Sequence, residues 1–199
     1  MTRNIFEERE RGYEADFFHK QDEKLLQKMR ERASLQEVAQ ALAEKLRVDD
    51  EELLRRVADL GLTRETGAAI LLAPLVQVAW AEGSVTDRER AVVFEVAARR
   101  GIEAGSPPHA QLDAWLRQRP SDALFATALA VIEAGLAILT PEERDERRRA
   151  IVTACSRVAE ASGGGLAKLL GIQGAGTSGQ EAAVLAAIAA KLRSGAGSA

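Results

Sequence analysis

Apolar residues recur along this chain at helical spacing, and nowhere do they alternate with polar ones as a half-buried strand requires. Ala, Leu, Glu and Arg dominate, which favours helix throughout. The breaks are well marked. Ser34-Leu-Gln-Glu37, Asp49-Asp-Glu-Glu52, Thr86-Asp-Arg-Glu89, Thr140-Pro-Glu-Glu143 and Ser178-Gly-Gln-Glu181 each place a capping side chain three residues before a Glu. In such a box the cap accepts a bond from the third amide, and the Glu reaches back to the cap's own amide. Gly61, Gly101, Gly105-Ser-Pro-Pro108, Arg119-Pro120 and Gly163–Gly179 punctuate the rest. The pattern predicts helices over 5–32, 34–47, 50–60, 64–81, 87–100, 109–118, 121–139, 141–161 and 179–193. The fold class is all-α.

Helices 64–81 and 121–139 are apolar nearly all round and should form the buried centre of a bundle, with Pro74 kinking the first. Residues 1–33 form a different region, a charged helical arm with sixteen charges, eight of each sign. It also carries half of the aromatics: Phe6, Tyr13, Phe17 and Phe18 of eight. Its apolar stripe is narrow and fades after Phe18, so the arm either projects towards a partner or docks on its own bundle. The domain plan is an arm over 1–33, connecting helices over 34–62, a bundle over 63–193 and a tail over 194–199.

The net charge of -3 arises from 27 basic and 30 acidic residues, so no strong field recruits nucleic acid or an anionic membrane. The single cysteine, Cys155, leaves no internal disulfide and suits a reducing compartment. The start, MTRNIFEERERG, is too charged for a signal peptide, and the longest apolar runs, Gly67–Ala81 and Ala123–Leu139, are too short for a spanning helix. These features point to a cytoplasmic protein.

Candidate chemistry is sparse. In VAWAEGSVTDRERAVVF the calcium-loop template puts Gly83 at position 6 and Glu89 at position 12. Val78 and Trp80 then occupy the first two ligand positions, where neither can bind calcium. Glu82, Asp87 and Glu89 could converge on a cation if another segment contributes oxygens. A cap and turn explain the same residues more simply, with Thr86 as cap, Glu89 completing the box and Asp87 at the positive helix end. Glu133, inside an apolar run, needs a hydrogen bond or a helix edge; Cys155 reads as a small core residue. His19 and His109 show no ligand spacing, and in the glycine-rich stretch no Lys-Ser/Thr pair follows Gly171, Gly174 or Gly176 as a phosphate-binding loop requires. Nothing here supports a catalytic residue.

The block from about Thr63 to Leu192 resembles the TerB-like domain family of tellurite-resistance proteins and co-chaperone N-terminal regions. Two parallel stretches carry the resemblance, LLAPLVQVAWAEGSVTDRERAVVFEVAARRGI and LTPEERDERRRAIVTACSRVAEASGGG, the second resuming at TSGQEAAVLAAIAAKL. Val78-Ala79-x-Ala81-x-Gly83 echoes Val158-Ala159-x-Ala161-x-Gly163, and Thr86-x-x-Glu89 aligns with Thr177-x-x-Gln180. The resemblance implies a helical scaffold or sensor in stress response, often near membranes. It also implies a divalent-metal site built from two acidic loops. Glu82 takes the place usually held by Asp and Glu89 keeps the family's Glu, but Ser162 and Gln180 stand where the second loop's acids belong.

Residues Phe6 to Leu42 resemble the start of the zeta-type inhibitor of the bacterial ATP synthase. Phe6-Glu7-Glu8-Arg9-Glu10, Tyr13-Glu14-Ala15, Phe17 and His19 fill its pattern. That resemblance implies a helix entering the catalytic head of the synthase, with Phe6, Arg9, Tyr13 and Phe17 as the contacting face and Phe18 beside them. The reading from sequence is therefore a non-catalytic interaction protein whose arm binds a protein partner. An ATP synthase inhibitor is the alternative, and a metal-dependent enzyme is a distant third.

Overall fold

The computed structural model describes residues 21, 23–30, 33, 50–161 and 179–194. Within them lie one 3-10 helix and seven α-helices, and no strand. In chain order these are α1 (Glu51–Asp59), the 3-10 helix (Gly67–Leu72), α2 (Ala73–Ala79), α3 (Asp87–Arg99), α4 (Pro107–Arg117), α5 (Asp122–Ala137), α6 (Pro141–Ala161) and α7 (Gly179–Ser194). Residues 23–30 of the arm are also helical. The expected helix 34–47 lies outside the described residues. No described helix is long and apolar enough to cross a membrane.

Local chemistry sets the boundaries. Thr86 and Glu89 close the expected box on α3: Thr86 N–H donates to Glu89 Oε2 at 2.7 Å and Glu89 N–H to Thr86 Oγ1 at 3.3 Å. Thr140 and Glu143 repeat it on α6 at 3.1 and 3.3 Å. On α1 the cap is Asp50, one residue later than the expected Asp49, and its Oδ1 accepts from Leu53 N–H at 3.0 Å. Helix α4 begins at Pro107 rather than at residue 109. Both prolines occupy its first turn, where a missing N–H forfeits no helical bond. Helix α5 stops at Ala137, short of 139, and Arg144 of the next helix satisfies its terminal carbonyls. The guanidinium donates to Leu136 O and Ala137 O, both at 3.0 Å, and to Leu139 O at 3.1 Å.

The expected single helix 64–81 is instead two pieces. Gly67–Leu72 winds as a 3-10 helix, and the α-helix begins at Ala73 with Pro74 in its first turn. Proline has no N–H to give the carbonyl four residues back, so the chain changes helix type there instead of kinking within one helix.

This short α2 is the hub of the bundle. It packs against α3, α4, α5, α6 and α7, and every one of its residues except Gln77 is buried. Each fully buried Leu or Val contributes about 1.5–3 kcal/mol from apolar area removed from water. Helix α5 buries Leu124, Phe125, Ala128, Val131, Ile132 and Leu136 against the same centre. The repeated Val-Ala pairs, Val78-Ala79 and Val158-Ala159, are all fully buried, on two helices, α2 and α6, that pack against each other. At the surface, Arg157 reaches Glu95 at 2.8 Å between α6 and α3, and Arg90 pairs with Asp113 between α3 and α4. The exposed Arg157–Glu95 tie contributes little beside the core.

Candidate functional site

The acidic turn begins where α2 ends. Gly83 N–H donates to Trp80 O at 3.0 Å, and Gly83 takes a φ of +85°, a conformation that side-chain-bearing residues adopt only under strain. Trp80 Nε1 anchors the turn by donating to Trp115 O of α4 at 2.8 Å. Beyond Gly83 the chain reaches Thr86, and α3 carries Glu89 inward.

The turn separates the three acids the sequence grouped together. Glu82 and Asp87 are exposed, whereas Glu89 is 2% exposed. Glu89 Oε2 accepts from both the N–H and the hydroxyl of Thr86, each at 2.7 Å. Burial, the largest influence, pushes the Glu89 carboxyl above the usual carboxylate range; the Thr86 bonds pull it down, and the charges of Glu181 and Glu82 push it up. Glu181, in the first turn of α7, is fully buried on that side. The arrangement therefore sets two buried carboxylates, one from each half of the internal repeat, within electrostatic reach of each other.

Glu181 is the residue that the sequence reading misplaced. Aligning Thr177-x-x-Gln180 with Thr86-x-x-Glu89 put a glutamine opposite Glu89, yet Gln180 is exposed and Glu181 is buried. Shifting the register by one, to Ser178-x-x-Glu181, restores the acid. That spacing was already visible as a capping box.

A hard cation requires about six or more oxygens in a compact shell. Among the described residues no group of three His, Cys, Asp or Glu side chains is arranged to hold a metal ion. With Asp87 turned to solvent and one oxygen of Glu89 committed to its cap, the described residues do not fit the metal site that the resemblance implies.

Other chemistry-bearing residues serve packing. Cys155 is buried, and burial pushes its thiol up to about 12, so it stays a neutral thiol. His109 stacks on Phe94 with ring centroids 4.3 Å apart. Glu133 sits on a partly exposed edge of α5 with Lys191 at 3.9 Å. Phe6, Arg9, Tyr13, Phe17, Phe18 and His19 lie outside the described residues.

On the described part of the arm, Leu25, Leu26 and Met29 are 58%, 53% and 60% exposed. At positions i, i+1 and i+4 they share one face of the helix, an apolar face that the sequence reading did not extend past Phe18. The signal was present in DEKLLQKMRE, an apolar pair and a methionine four residues after Leu25, but the surrounding charges obscured it.

The fold defines an all-α bundle of small helices. No family model, curated protein or solved structure matches the chain.

Proposed function

We propose that this is a non-catalytic helical interaction protein of the cytoplasm, in which the bundle is the scaffold and the N-terminal arm engages a protein partner. The observation that carries the reading is the Leu25, Leu26 and Met29 face. Three large apolar side chains lie side by side on a helix, each more than half exposed. Leaving that face in water forfeits several kcal/mol of burial, roughly 1.5–3 kcal/mol per side chain. A groove on a partner recovers it, with anchors at i, i+1 and i+4. The TerB-like resemblance suggests a stress-related setting for the scaffold, and the zeta-type resemblance suggests the catalytic head of the ATP synthase as one partner to test.

The test is affinity capture with the full chain and with a chain lacking residues 1–33, melting temperatures being compared first. A protein retained by the full chain and lost by the truncated one is the expected result. Equal capture by both chains would remove the arm from the account. Inhibition of purified ATP synthase by a peptide of residues 1–35 would identify that partner, and no effect at high micromolar peptide would dismiss it.

A further inference from the structure

We propose that the cleft between α6 and α7 binds a small organic anion. This proposal does not rest on the arm. The cleft measures about 400 Å³, within the ~300–1,000 Å³ of small-molecule sites. Arg148 and Arg149 line it from α6 and Arg193 from α7, over a floor of Val152, Ala189 and Leu192. On α6 the lining follows the i, i+3, i+4, i+7 rhythm of one helix face, from Asp145 to Val152.

Charge selects the ligand. Three guanidinium groups face one carboxylate, that of Asp145. Asp145 is taken by Arg148 through Nη1 at 3.2 Å, so Arg149 and Arg193 have no acidic partner among the described residues. Arg148 is mostly buried and its Nε has no hydrogen-bond partner among the described residues. Guanidinium forks match the two oxygens of a carboxylate or phosphate. The apolar floor then selects against a bare inorganic ion, because only a ligand with a hydrocarbon portion removes it from water. A phosphate monoester or carboxylate with a short apolar body satisfies both parts.

The test titrates the full-length protein with octyl phosphate below its micelle concentration, followed by calorimetry and by amide chemical shifts. Saturable binding is expected, with shifts concentrated at residues 145–153 and 189–193. Inorganic phosphate should bind at least tenfold more weakly. Arg149→Gln combined with Arg193→Gln should weaken octyl phosphate at least tenfold. Ala189→Phe, which fills the floor and keeps all three arginines, should weaken it too. Equal binding of octyltrimethylammonium, absence of saturation at millimolar octyl phosphate, or unchanged affinity in the double variant would each overturn the proposal. Equal affinity for inorganic phosphate would overturn its organic part.

Discussion

Leu75 and Leu25 are the same side chain in opposite surroundings. Leu75 sits at 1% exposure in α2, which packs against five other α-helices; Leu25 sits on the arm at 58%. Both lie on helices, so helix propensity does not separate them. What separates them is the company each keeps. Around Leu75 the next residues are Val76 and Val78, with no charge from Gly67 to Ala81. Around Leu25 stand Glu23, Lys24 and Lys28. A segment that is apolar all round folds into a core, whereas a narrow stripe among charges stays outside, where the proposed partner would meet it.

The contrast can be broken or sharpened by substitution. Leu75→Ala should cost about 2–5 kcal/mol, because it opens a cavity at the hub that the five α-helices packed on α2 cannot close without moving together. Urea unfolding measures it, and a cost under 1 kcal/mol would mean that α2 is not the hub. Gly83→Ala should cost roughly 1–2 kcal/mol. Nothing lies within 4 Å of a methyl group built there, so the whole cost is the left-handed backbone. Thr86→Ala should cost about 1 kcal/mol through the lost cap, and Thr86→Ser should restore most of it.

Glu89→Gln tests the buried carboxylates. The Glu89 carboxyl is raised in the folded chain, so its contribution to stability is complete below its ordinary value of 4.5 and is lost as pH rises through the raised value. Glutamine keeps the capping geometry without the charge facing Glu181 and Glu82. The variant should therefore gain stability relative to the parent as pH rises from 4.5 to neutrality, read as the difference in urea midpoints at the two pH values. A difference that does not change with pH would contradict the burial of that charge. The smallest effect belongs to the arm: replacing Leu25, Leu26 and Met29 together by Ser should alter stability by less than about 0.5 kcal/mol.

Much of the architecture was legible in the residues because capping boxes and apolar periodicity are local. Thr86 with Glu89 and Thr140 with Glu143 marked two helix starts to the residue, and the internal repeat paired Val78-Ala79 with Val158-Ala159, all four of which are fully buried. The change of helix type at Ala73 was not legible. Pro74 signals an interruption, but whether the chain bends or switches to 3-10 winding depends on the neighbours that enclose it. The acidic turn was half legible: Thr86, Gly83 and Glu89 behave as a cap and turn should, while the approach of Glu181 is a tertiary fact that a register chosen one residue off concealed. The arm's apolar face was partly hidden for a different reason, since three apolar residues among charges carry little periodic signal.

The central claim is that the exposed face of the arm, and not the bundle, holds the partner. Its most direct test is capture by the full-length protein carrying Leu25→Ser, Leu26→Ser and Met29→Ser, compared with the parent chain under the same conditions. The account predicts that a partner retained by the parent is lost by the triple variant. Retention of that partner at the parent's level would contradict it.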